Sequence, residues 1–157
     1  MAGERASLTE FLEYQRQTLA MKCAWLTTEQ LREKAIPPSA LSLLGLVRHL
    51  ADVERSWFQN GMNGERVRSF WGRGPDGEPN EFDVDEADPN HAFTVWETAC
   101  RRSRDIVDAA ESLETVGHYG DESFTLRYVL THMIEEYARH NGHADLLRER
   151  IDGATGE

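Results

Sequence analysis

The chain has 157 residues, of which 39% are hydrophobic and 29% charged, enough to bury one substantial core. Its formal net charge of −11 is spread along the length, which excludes the basic footprint of a nucleic-acid binder and the polybasic patch of a membrane anchor. Nothing in the proportions points to disorder, and a single domain over residues 1–157 is expected.

The first helical pattern runs from about Ser7 to Thr27, with Ser7 and Glu10 spaced as a capping box and Leu8, Phe11, Leu12, Leu19 and Cys23 as its apolar stripe. A short extension over Thr27 to Glu33 follows, stopped by Ile36-Pro37-Pro38. Ser39 is placed to cap a second helix reaching Asn60, where Asn60-Gly61 ends it. Its stripe is Leu43, Leu46, Leu50, Val53 and Trp57.

A long connection, Gly61 to Pro89, comes next, and stretches this long without regular structure are usually functional or mobile. Phe70-Trp71 within it either folds a lid over a site or pins the loop to the helices, the second being favoured. The acids of EFDVDEAD lack calcium-loop spacing and read as a solvated loop. A third helix covers Asn90 to Leu113, with Phe93, Trp96, Cys100, Ile106 and Val107 as core.

The fourth helix starts near Ser123 and passes through Asn141-Gly142 without losing phase. Asp152-Gly153 then supplies the stop. No strand alternation of convincing length is present, so the expectation is all-α: a four-helix bundle with a long connection between helices two and three. No apolar run could span a membrane and MAGERASLTE has no signal-peptide core, which makes the cytoplasm the expected compartment. Cys23 and Cys100 are read as small buried residues, without a disulfide.

The stretch THMIEEYARHNGHAD, Thr131 to Asp145, puts three histidines and two glutamates into fifteen positions of the last helix. With Glu136 set at zero on a helical wheel, Val129 and Leu147 fall near ~20°, His140 near ~40°, and Met133 and Ile151 near ~60°. Glu136 and His140 therefore face the core, while Glu135 points to solvent. An unpaired buried carboxylate is costly, so something must compensate it.

Residues i and i+4 stack on one face, close enough for Glu136 and His140 to share an ion. His49 lies at the edge of the second helix's stripe, where it can reach across the interior. Two histidines and one carboxylate form a three-ligand set with open positions, as at catalytic zinc or non-haem iron(II). A buried hydrogen-bonded couple is the other reading of the same residues.

The segments SLLGLVRHLADVERSWF and LRYVLTHMIEEYARHNGHADLLRERIDG resemble the DinB-like superfamily, specifically an actinobacterial branch related to mycothiol-dependent enzymes. The resemblance covers essentially the whole chain and implies a DinB-like four-helix bundle. In that family a histidine of the second helix and two residues four apart on the last bind a divalent metal. Maleylpyruvate-isomerase-like members carry Glu as the first of that pair. Carried over, the ligands are His49, Glu136 and His140. Members of this kind have a further C-terminal domain, whereas this chain ends soon after the last helix, which favours a stand-alone thiol S-transferase.

The resemblance implies a divalent metal, with Zn²⁺ expected, and mycothiol or a similar small thiol as co-substrate, transferred to a small electrophile in detoxification. The metal would lower the thiol's pKa so that the thiolate attacks. A non-catalytic metal-binding stress or sensing protein is the alternative, and a hydrogen-bonded structural core a third. His143 and His132 are candidates for supporting the ligands or, for His143, joining them. Asp52 could orient His49, and Arg48 and Arg139 could meet a substrate carboxylate, though each also reads as a solvated helix residue. His91 and His118 earn no role. Homodimerisation fits such bundles, but no decisive interface is visible.

Overall fold

The computed structural model describes residues 3–156. It is mostly helical: α1 (Glu4–Cys23), α2 (Thr28–Arg32), α3 (Leu43–Glu54) with a π-helical continuation over Arg55–Met62, α4 (Pro89–Ala109) and α5 (Leu126–Asp152). Helix α1 packs along α5, α3 along α4, and α3 against α5. Leu12, Leu19, Leu43, Leu46, Leu50, Leu126, Leu130 and Leu147 are among the fully buried side chains. Each such burial is worth about 1.5–3 kcal/mol against exposure.

Helix boundaries follow from who satisfies the terminal N–H and C=O groups. Helix α1 begins at Glu4, not at a Ser7 cap, and Gly3 gives it no side-chain cap. Tertiary contacts hold this first turn instead: Arg5 donates to the carbonyls of Ala110 and Val107, and Glu4 pairs with Arg127 at 2.6 Å. Phe11 does not join the core and is 61% exposed; Arg16, on the same stripe as Leu12 and Leu19, is buried in its place.

Thr27 and Gln30 form a reciprocal capping box that opens α2, so α1 and this extension are separate helices. Ser42, not Ser39, caps α3 by accepting the Gly45 N–H at 3.0 Å; Ser39 serves only the local turn through Leu41 N. Asn60-Gly61 does not end the helix. Asn60 clamps the chain after it, accepting from Val67 N and donating to Val67 O. The chain continues instead as a π-helical turn over Arg55–Met62, a rare form that is frequent at functional sites.

Asp88 caps α4, Pro89 occupies its first turn, and the helix ends at Ala109, short of Leu113. The mostly helical structure agrees with the all-α expectation, to which it adds one small antiparallel hairpin, β1 (Val116–Tyr119) and β2 (Glu122–Thr125), paired Val116 with Thr125 through Tyr119 with Glu122. Its two-residue turn is Gly120-Asp121, with Gly120 at φ 60 as the first position of a type II′ turn requires. Gly117 admits no side chain, because a Cβ would meet the Gly61 carbonyl and Met62. The hairpin thereby seats on the π-helical segment.

Ser123 consequently belongs to β2, and α5, capped by Thr125, begins at Leu126, three residues later than the apolar pattern places its start. From there α5 runs unbroken through Gly142 to Asp152 and stops at left-handed Gly153, as expected. No helix among the described residues is long and apolar enough to cross a membrane.

Candidate metal centre

Helix α3 carries His49 and α5 carries Glu136 and His140. Because the two helices pack directly, the three side chains meet: one donor atom from each lies within 4.8 Å of the others. Glu136 Oε1 is 3.0 Å from His49 Nε2 and 3.2 Å from His140 Nε2. The imidazole rings stand edge to face at 4.7 Å. Two ligand atoms on one tetrahedral zinc are about 3.4 Å apart, given bonds near 2.0–2.2 Å, so the two separations from Glu136 Oε1 are close to what a shared cation would need.

All three side chains are half-buried. Burial raises the Glu136 carboxyl, but the hydrogen bond from His49 and the charges of His140, His49 and His132 outweigh it and hold its pKa below the usual value. His140 moves down because of burial and the neighbouring His49, with Glu136 opposing and His143 adding to the fall. The carboxylate is thus kept ionised and the His140 imidazole neutral, the protonation states in which both can ligate a metal.

Behind His49 stands Glu81, whose Oε1 lies 3.3 Å from His49 Nδ1. A neutral imidazole cannot donate to both Glu81 and Glu136, since it has one N–H. With a single ring proton, His49 turns a lone pair toward one of the two carboxylates, an arrangement that a bound cation would relieve. A carboxylate behind a ligating histidine is the usual way its ring is oriented.

A cavity of about 350 Å³ opens beside His49, walled by Trp57 and Asn60 of the π-helical segment, by Arg68 and Glu81 of the connection, and by Tyr119 of β1. Of the trio, His49 alone lines it. Access to the donor set is therefore from the side where the π-helical turn, the connection and the hairpin converge.

A family model described as Mycothiol-S-transferase matches residues 7–153. The chain belongs to that family. Membership implies S-transferase chemistry with mycothiol as the small-molecule thiol. No curated protein matches the sequence.

Against this mycothiol-S-transferase frame, the remaining candidates sort by contact. His143 meets His140 Nδ1 through its own Nδ1 at 3.2 Å, away from the Nε2 that faces Glu136. His132 packs on Trp57 at 4.4 Å and stacks on Tyr128, one turn below Glu136. Asp52 does not orient His49: it accepts the Phe70 N–H at 2.8 Å and the Ser69 hydroxyl, and pairs with Arg55 at 3.2 Å. It pins the connection, and Trp71 does likewise through Nε1–H to the Arg48 carbonyl at 2.7 Å.

Arg48 is buried under Trp71 and donates to the Asp83 carbonyl, so it faces the connection. Arg139 pairs with Glu135 at 2.6 Å on the exposed flank of α5. Neither lines the cavity. His91 is exposed beside Phe70 and Trp71, and His118 is exposed on β1. Both cysteines are free and buried; burial pushes the Cys23 thiol up to about 12 and raises Cys100 as well, so neither is a thiolate nucleophile.

Sequence reasoning missed Glu81, Tyr119, Arg68 and Arg73. Glu81 belongs to the acidic EFDVDEAD, read as solvated, and no periodicity marks it as buried. Tyr119 was reachable: the Gly-Asp pair after it is a hairpin signal.

Proposed function

We propose that the protein is a divalent-metal-dependent mycothiol S-transferase acting on small electrophiles, folded as a DinB-like four-helix bundle. In this reading His49, Glu136 and His140 hold the metal, with Zn²⁺ the expected ion. One observation carries it: His49 is held between two carboxylates, with Nδ1 on Glu81 and Nε2 on Glu136, and His140 Nε2 converges on the same oxygen.

A cation held by His49, Glu136 and His140 would supply Lewis acidity and would lower the pKa of a small thiol bound to it. The chain's own residues prepare that site. Glu81 fixes the ring of His49, and Glu136 and His140 are themselves half-buried. The cavity beside His49 gives small molecules a route to the edge of this donor set. With Cys23 and Cys100 buried and their thiols raised, the small thiol is the sulfur that reacts.

The test is S-transfer from mycothiol to a thiol-reactive electrophile before and after chelation. Activity that falls with metal removal and returns with Zn²⁺ supports the reading. Full activity in demonstrably metal-free protein contradicts it.

A further inference from the structure

The chain carries a net charge of −11, yet the cavity beside His49 is lined by three arginines, Arg55, Arg68 and Arg73, against two carboxylates, Asp52 and Glu81. Asp52 is fully engaged, taking Arg55 at 3.2 Å, the Phe70 N–H and the Ser69 hydroxyl, whereas Glu81 gives Oε1 to His49 and keeps Oε2 buried without a partner. Arg73 gives one nitrogen to the Gly77 carbonyl at 2.7 Å. Among the described residues Arg68 makes no hydrogen bond or ion pair. The rim therefore presents guanidinium N–H groups that no protein acceptor matches, beside the place where a thiolate is expected.

The backbone that carries these arginines is held, although it belongs to the long connection. Asn60 clamps Val67 through both of its amide atoms, and Asp52 ties Ser69 and Phe70. Asn80 N donates to the Gly72 carbonyl at 3.1 Å, and Arg73 bridges to Pro79. A backbone ordered before the ligand arrives leaves only the side chains to lose freedom on binding it.

Resting on the S-transferase reading above, we propose that the electrophile bears a carboxylate, which Arg68 and Arg73 bind. A thiolate and an anionic electrophile repel each other, and in a partly desolvated cavity that repulsion is stronger than in water. Guanidinium groups at the rim cancel it, and their planar fork matches a carboxylate. A neutral electrophile gains nothing from them. The site thus selects anionic acceptors by removing a barrier specific to them.

Iodoacetate and iodoacetamide are the probe pair, because they differ only by carboxylate against amide. In each case the thiolate sulfur displaces iodide: the C–S bond forms as the C–I bond breaks, iodide leaves with the electron pair, and the thiol proton passes to solvent. The protein's own cysteines are poor competitors, being buried with raised thiols. The preference for acetate over amide, as kcat/KM corrected for the uncatalysed reaction, is expected to fall about tenfold in the Arg68→Gln, Arg73→Gln double variant, through KM for the electrophile. A preference that does not move overturns the proposal. So does a rise in the thiol's KM that is equal with both electrophiles, which would put the anion on the thiol.

Titration calorimetry with succinate, an unreactive dicarboxylate, tests the same cations without turnover. Binding to the wild type that weakens with salt, and about tenfold in the double variant, supports the site. Absent binding to the wild type, or equal binding to both, overturns it. Because this arm needs no S-transfer, a protein without S-transferase activity would sink the functional reading and leave the anion site to be judged separately. Unchanged far-UV circular dichroism confirms that the variants fold.

Discussion

Helices α3 and α5 meet at two polar clusters, one built on His49, Glu136 and His140, the other on Glu54 and Tyr137. The second is closed. Glu54 accepts both Arg16 Nε and Nη2 at 2.8 Å and the Tyr137 hydroxyl at 2.7 Å, while Trp96 Nε1 donates to the Tyr137 oxygen at 2.8 Å. Charges cancel, each carboxylate oxygen of Glu54 has a donor, and both Glu54 and Tyr137 are fully buried. The first is open. One imidazole faces two carboxylates, Glu81 Oε2 is buried without a partner, and a cavity reaches the edge of the set. The same pair of helices thus holds a structural polar cluster and one that asks for a ligand, and completeness of pairing tells them apart.

The largest effect should come from breaking the closed cluster. Arg16→Met leaves Glu54 buried and unpaired and is expected to destabilise by about 3–5 kcal/mol in urea unfolding. A loss below about 1 kcal/mol would show that the pair is not desolvated as described. Replacing its counterpart in the open cluster, Glu81→Ala, should do the opposite: metal affinity falls about 10–100-fold while the urea midpoint barely changes. Equal losses of stability in both variants would erase the distinction.

Acid sharpens the contrast. Burial raises the Glu54 carboxyl, but Arg16, Ser103 and Tyr137 outweigh it and its folded pKa is lowered. A lowered folded value means stability that is fully present above the unfolded carboxylate value, about 4.3, and lost as pH falls through the folded value. Glu54→Gln should therefore flatten the acid limb of the stability curve, and an unaltered limb would count against the paired carboxylate. The smallest effect is expected from Cys23→Ser, which should leave S-transfer intact. Loss of activity with normal folding would point to an enzyme-borne thiol.

How much of this was legible follows from the physics of each element. Glu136 and His140 announce their common face through i, i+4 spacing within an apolar stripe, and His49 through its place at the edge of another. Arg16 and Glu54 carried the same signal, lying on the stripes of Leu12 and Leu19 and of Leu50 and Phe58, yet a charged residue on an apolar stripe is easily passed over. The hairpin was marked by Gly120-Asp121 but is too short to show alternation. The π-helical turn has no sequence period of its own. Glu81, Arg68 and Arg73 reach the cavity only because the connection is pinned by Asn60 and Asp52, contacts that no local pattern encodes.

The most direct measurement is the metal content of the purified protein by elemental analysis, beside His49→Ala. About one divalent metal per chain, lost in the variant while helicity persists, is the result expected. A wild type that stays metal-free after incubation with Zn²⁺, Mn²⁺, Fe²⁺ and Ni²⁺ would contradict the account and leave His49, Glu136 and His140 as a hydrogen-bonded core.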